Sequence, residues 1–315
     1  MDPTPDLVFY LQGSASVGMG HLSRSAALIS ALESHGYNSE VVLRVDTEGH
    51  AFAHNKGLTS REVELAEIPS ARSKVIIDAI AIPGNDARWL YEMDQRVLIS
   101  PVCDRGDIAT DVLLRSLSEE LRGQLSADCR VTQDDRYAYA SAAGLAMRAL
   151  TYDDLVIGIC LSGGSSQADV GALVDAALRV PGVTEIRVIH PDKNSVSQGS
   201  DIIRHRTFSV DPWSFLAPIN VFVGGSGVMI AEAVAQGLPC LSVTPREGMT
   251  KNPSLVDSGC IEECVHENAP QRLATMLTDR SKLVHMHRAA RASDSGHSAD
   301  ALADAILNTI RIDEA

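Results

Sequence analysis

Several familiar marks are missing from this chain, and each absence removes a class of protein. Its six cysteines, Cys103, Cys129, Cys160, Cys240, Cys260 and Cys264, include no Cys-x-x-Cys pair. Only the last two are close, with three residues between them, so there is no disulfide framework and no zinc pattern. Cys160 and Cys240 lie in apolar runs, where a core thiol is the simpler reading. Asp-x-Asp, the usual mark of a metal-held diphosphate, occurs nowhere, and no metal or other cofactor is expected. Gly-x-Ser-x-Gly, the turn that presents a serine nucleophile, is also missing. Positive charge is scarce: 27 Lys and Arg face 41 Asp and Glu, a net charge of −14. That balance argues against nucleic acid or an anionic membrane as partner. Any phosphate site must then be local, made from amides, helix ends and a few cations. No segment approaches the ~20 apolar residues needed to cross a bilayer. Met1-Asp2-Pro3 opens the chain without a basic region or apolar stretch, so no signal peptide is read and a cytoplasmic location is expected.

What is present is an alternation of strand and helix signals. The 315 residues, 45% of them apolar, suit two compact domains. The first series places strands at Leu7–Leu11, Glu40–Leu43, Lys74–Asp78, Arg96–Ser100 and Asp111–Leu114, with helices over His21–His35 and Asp86–Met93. The second places strands at Leu155–Leu161, Glu185–Ile189, Asn220–Val223 and Leu238–Val243. Its helices fall at Ala168–Arg179, from the glycine loop to Gln236, and at Gln271–Thr278 and Ala299–Ile310. Two such series predict an α/β protein of two Rossmann-like domains, each a doubly wound parallel sheet, facing across a cleft. The domains are set at 1–150 and 151–315, with a junction in Tyr139–Asp154 and a last helix free to cross back.

Chemistry concentrates at two strand-to-helix turns. The first is Gly13 to Tyr37, GSASVGMGHLSRSAALISALESHGY. Gly18 and Gly20 let backbone amides approach a phosphate, and the helix that follows adds its positive end. That helix is expected to bury Leu22, Ala26, Ile29 and Leu32, to show Ser23, Ser30 and Glu33 to water, and to end at Gly36. His21 stands at the mouth of the turn, either as a general base or as a helix cap. Arg24, one turn on, reads as a diphosphate partner or as a solvated helix residue. The second turn runs from Val221 through Gly224-Gly225-Ser226-Gly227-Val228 to Glu232 and on to Gly237-Leu238-Pro239. Its amides can hold a diphosphate, and Glu232 is either a ribose-hydroxyl acceptor or a solvated helix acid. Ser162-Gly163-Gly164 opens the second domain in the same manner. His50, His54, His285 and His287 read as surface residues, and Asp104, Asp107 and Asp111 as a solvated or capping cluster.

These motifs carry a resemblance. Gly-Gly-Ser-Gly through Glu232 to Gly-Leu-Pro resembles the donor-nucleotide motif of GT-B glycosyltransferases. Gly18-Met19-Gly20-His21-Leu22-Ser23-Arg24 resembles the Gly-x-Gly-His-x-x-Arg signature of a narrower group. That group holds the UDP-2,4-diacetamido-2,4,6-trideoxy-β-L-altropyranose hydrolases of pseudaminic acid synthesis and the predicted glycosyltransferases of spore-coat polysaccharide synthesis. The chain has Pro101-Val102-Cys103 where those hydrolases carry paired aspartates, and Arg246-Glu247 where they carry Asn-Gln. Asp78 of their Asp-x-Tyr remains, but Ile80 replaces the aromatic. The resemblance implies a nucleotide-sugar donor, UDP-linked, cleaved at the anomeric carbon with His21 as base and Asp78 near the substrate. It leaves water or a small-molecule acceptor as the incoming group. A nucleotide-sugar-binding protein without turnover is the alternative.

Overall fold

The computed structural model describes residues 7–14, 16–68, 74–137, 150–161, 167–190, 200–206, 212–225, 227–244, 253–292 and 299–312. Two units divide the chain: Met1–Ser141 with His297–Ala315, and Ala142–Gly296.

The first unit runs β1 (Leu7–Gly13), α1 (Gly20–Ser34), β2 (Ser39–Val45), α2 (Thr47–Asn55), β3 (Lys74–Asp78), α3 (Gly84–Tyr91), β4 (Gln95–Leu98), β5 (Asp111–Leu114), α4 (Glu119–Arg122) and β6 (Arg130–Gln133). Its six strands are parallel, in the order β2-β1-β3-β4-β5-β6. Leu7 to Leu11 are buried on both faces, which is what an unbroken apolar run in a central parallel strand provides. From β1 the chain steps outward to β2 and then returns to the other side of β1 for β3. The order therefore reverses between β1 and β3, and the carboxyl ends of such a pair are where open α/β sheets take ligands.

The second unit runs β7 (Leu155–Cys160), α5 (Gln167–Leu178), β8 (Val183–Ile189), β9 (Ile203–Arg206), α6 (Pro212–Leu216), β10 (Val221–Gly225), α7 (Val228–Ala235), β11 (Cys240–Thr244), α8 (Pro253–Asp257), β12 (Ile261–Val265), α9 (Ala269–Thr278) and α10 (Arg280–Ala292). This sheet is also parallel, ordered β12-β11-β10-β7-β8-β9, and it reverses between β7 and β10. Val221 and Val223 pack in one core with Leu173 of α5 and Leu273 of α9. Phe222, Cys160 and Cys240 join the other core, with Ile230 and Val234 of α7. The period-two alternation along β10 thus feeds both layers.

The last helix, α11 (Ala299–Ile312), belongs to the first unit. It packs on α1 and β5 and buries Leu302, Ala303, Ile306, Leu307 and Ile310. This explains a correction to the expected face of α1. Leu28, Ala31 and Ser25 are buried as well as Leu22, Ile29 and Leu32, while Ala26 is only half-buried. A helix covered by both a sheet and a second helix needs a wider apolar arc than one stripe.

Two surface expectations also fail. His287 is buried, its Nδ1 2.6 Å from the Gly237 carbonyl oxygen. Asp111 is buried too, held by Arg130 at 2.7 and 3.1 Å, because β5 is an interior strand and Arg130 lies in register beside it. Asp104 caps the Ile82 amide at 3.0 Å, and Asp107 pairs with Arg105.

Candidate active site

The turn after β1 is closed by backbone bonds. Gly18 donates to the Ser14 carbonyl at 2.7 Å, and the Ser14 hydroxyl accepts from the Val17 amide at 3.0 Å. Gly18 has φ +92°, a left-handed conformation that a side chain would strain. Then α1 starts at Gly20 with no side-chain cap and no acid in its first turn. Its amide end is therefore set up for an anion rather than for a side chain of its own.

His21, Arg24 and Ser25 all face the carboxyl end of β3. Asp78, its last residue, is fully buried. Its Oδ1 lies 2.6 Å from His21 Nδ1 and also accepts from Arg24 Nη2. Its Oδ2 accepts from Arg24 Nε at 2.6 Å and from the Ser25 hydroxyl at 3.0 Å. Burial by itself would push this carboxyl up, but the Arg24 charge, His21 and their hydrogen bonds outweigh it and hold it below the ordinary carboxylate range. An ionised carboxylate only accepts, so His21 Nδ1 donates to it, which leaves Nε2 as the ring nitrogen able to exchange a proton with a substrate. No described group engages Nε2. The ring is buried at 7% exposure, which removes the reading of His21 as a surface cap.

Two expectations change here. Arg24 pairs with Asp78 through Nε and Nη2, with a side chain 10% exposed, and is not a solvated residue. Asp78 is an internal partner of His21 and not a substrate contact, because all its acceptor directions are filled from within the unit. Sequence reasoning passed over Ser25 and Gln12. Gln12, at the end of β1, accepts from the Ile80 and Ala81 amides at 2.8 and 3.0 Å and fixes the segment after β3. Ser25 had a signal, being a polar residue four after His21 on the buried side of α1. On the opposite face of the sheet Tyr10 donates to Asp86 at 2.7 Å, and Arg44 Nε does so at 2.6 Å, tying β1 and β2 to α3. Cys103 is buried, and burial pushes its thiol up to about 11.

In the second unit, Gly224 and Gly225 end β10, and Gly224 lies in register with Cys160 at the end of β7. A Cβ on Gly224 would come within 2.5 Å of the Phe222 ring, so a side chain here would have to displace that buried ring. Gly227 donates to the Gly225 carbonyl at 2.7 Å and precedes α7, which begins at Val228 without a side-chain cap. Glu232 lies in α7 at 1% exposure, so it is not a solvated helix acid. The glycine loop therefore stands at the switch point of the second sheet, as the His21 turn does in the first. Gly163, Gly164, Ser226, Arg246 and Glu247 lie outside the described residues. Among the described residues no group of three or more His, Cys, Asp or Glu is gathered as a metal-ligand set, and no helix is long and apolar enough to cross a membrane.

No protein-family profile matches the chain, and no curated protein matches it. Solved structures do. The S. aureus MnaA–UDP complex superposes with a TM-score of 0.66 at 13% identity, over 97% of this chain and 96% of that one. A putative UDP-N-acetylglucosamine 2-epimerase from Listeria monocytogenes gives 0.63 at 13%, over 96% of each. The spinosyn rhamnosyltransferase SpnG, complexed with thymidine diphosphate, gives 0.62 at 16%, over 95% of this chain and 99% of that one. At such identities the likeness defines the fold. The chain has the α/β fold of GT-B proteins, with two six-stranded parallel sheets and flanking helices.

Proposed function

We propose that this chain is a nucleotide-sugar-dependent enzyme of carbohydrate or glycoside biosynthesis. It cleaves the bond between the anomeric carbon and the diphosphate of an activated donor, UDP-linked in the first instance. The observation that carries this reading is the His21–Asp78 pair at the switch point of the first sheet, beside an uncapped helix end. Similar folds in structures that hold UDP or thymidine diphosphate support it.

The steps follow from the geometry. Nε2 of His21 takes the proton of an incoming water or hydroxyl as its oxygen attacks the anomeric carbon. The carbon–oxygen bond to the diphosphate breaks, and its electron pair leaves with the nucleoside diphosphate. Asp78 remains ionised, fixes the ring through Nδ1 and balances the imidazolium as it forms. A base so positioned contributes ~10²–10⁴-fold. Amides at Gly18 and Gly20 lie beside the base. In the second unit, Gly224, Gly225, Ser226, Gly227 and Val228, with Gly163 and Gly164, are assigned the diphosphate. Glu232 is assigned the ribose hydroxyls. No metal is required in this scheme, in keeping with the missing Asp-x-Asp.

Transfer and hydrolysis share these steps and differ only in the incoming group. The Gly18–Arg24 motif is shared by hydrolases and predicted glycosyltransferases, so it serves either outcome. The neutral buried thiol of Cys103, standing where the hydrolases carry an aspartate, favours a substrate other than theirs. The test is incubation with a panel of nucleotide sugars, following nucleoside diphosphate release with and without candidate acceptors. Release without acceptor assigns hydrolysis, and acceptor-dependent release assigns transfer. No release from any donor, with nucleotide still bound, would leave a binding protein.

A further inference from the structure

The buried network holds more charge partners than a histidine base needs. A carboxylate at 2.6 Å from Nδ1 suffices to orient an imidazole. Here the same carboxylate also receives a two-point contact from Arg24, through Nε and Nη2, one helical turn along α1. Arg24 Nη2 lies 2.9 Å from His21 Nδ1, so the guanidinium and the imidazole sit side by side against one anion. With the imidazole neutral, the Arg24 and Asp78 charges cancel. Protonation of His21 then adds a net positive charge to a nearly closed site.

We propose that Arg24 is a positioning residue whose charge offsets Asp78, and that it thereby sets the pH range over which His21 is available as a base. The inference rests on the proposed role of His21, but it concerns the imidazole itself and can be measured without turnover. Of the described groups around the ring, α1 contributes Arg24, and β3 contributes Asp78. The Cys103 thiol, in the segment after β4, feels the Asp78 charge and stays protonated at neutral pH. Without the guanidinium, Asp78 would have only an imidazolium left to balance it. The variant's ring should then take up its proton at higher pH.

The experiment is an NMR titration of the His21 ring in the full chain, with the resonance assigned by its loss in His21→Asn. Four proteins are compared with the parent. In Arg24→Gln the midpoint should rise by ~1–3 pH units, the range for removing one charge of a close pair. In Arg24→Lys, which keeps the charge and loses the fork, it should stay within a few tenths of a unit. In Asp78→Asn it should fall. In the Arg24→Gln/Asp78→Asn double variant, where both charges are gone, it should return close to the parent. If Arg24→Gln fails to fold and the double variant folds, charge compensation is supported by that rescue. An unchanged midpoint in Arg24→Gln, an equal rise in Arg24→Lys, or failure of both Arg24→Gln and the double variant to fold would overturn the proposal and leave Arg24 a structural clamp. Should the parent release no nucleoside diphosphate, the titration still decides this question, so the two readings fail separately.

Discussion

Replacing Asp78 by Asn probes the buried network most directly. The change keeps the volume, removes one charge, and takes from Arg24 a counter-ion that it meets with a side chain only 10% exposed. The carboxylate accepts from His21, from Ser25 and twice from Arg24. An amide offers one oxygen and one donor group, so at least one of those donors meets an N–H. Removing one partner of a buried ion pair costs ~3–5 kcal/mol. With a urea dependence of ~2 kcal/mol per molar, the midpoint of the first unit should fall by ~2 M. Trp89 lies in α3 of that unit and Trp213 in the other, so fluorescence in a Trp213→Phe background follows the first unit alone. The pH dependence has a definite sign. The folded carboxyl lies below its unfolded value of ~3.9, so its contribution is complete above that value and is lost as pH falls toward the folded one. The gap between parent and variant should be wide at pH 7 and narrow in acid. Equal midpoints at pH 7, or a gap that widens in acid, would refute the reasoning.

His21→Ala should lower turnover by ~10²–10⁴-fold while nucleotide binding survives, and the acidic limb of the rate profile should vanish; a folded variant with near-parental turnover removes His21 from the mechanism. Glu232→Ala should weaken UDP by ~1–3 kcal/mol in calorimetry if a ribose hydrogen bond is lost; unchanged affinity for every uracil nucleotide would withdraw that role. Turnover should persist in EDTA, and a complete loss restored by magnesium or manganese would reveal a metal site that the sequence does not mark. Arg24→Gln should raise the titration midpoint of His21, as argued above, while Arg24→Lys should not.

Elements with strong apolar signals were legible in the sequence. Lys74–Asp78 and Asp111–Leu114 fall on their strands to the residue, and both glycine turns open helices at switch points. Sequence reading passed over three edge strands, Arg130–Gln133, Ile203–Arg206 and the half-buried Ile261–Val265. Arg130–Gln133 is exposed throughout, and Ile203–Arg206 alternates between half-buried and exposed, so neither carries the apolar run of a central parallel strand. Helix α10, RSKLVHMHRAARA, hides its buried Leu283, Met286, His287 and Ala290 among cations. The site was legible in part. His21 stood out from its glycine turn, whereas its bond to Asp78 joins residues 57 apart in sequence. No local pattern encodes that pairing. It arises because β3 returns to lie beside β1, bringing Asp78 into register with Leu11. The pairing of Arg24 was hidden for the same reason, since Asp78 comes from a strand that the helix pattern does not reveal.

The place of α11 bears on how the protein is made. Ribosomes deliver a chain from its N-terminus, yet the helix that seals α1 arrives after the whole second unit has been synthesised. Until then the nascent first unit lacks Leu302, Ile306, Leu307 and Ile310, each worth ~1.5–3 kcal/mol when buried. It also lacks the Thr309 and Ile310 carbonyls that receive Gln95 and Lys74. The second unit is one continuous stretch and suffers no such delay. The half that carries His21 is therefore first to be translated and last to be finished, and during synthesis it exposes an apolar surface on which chaperones can act.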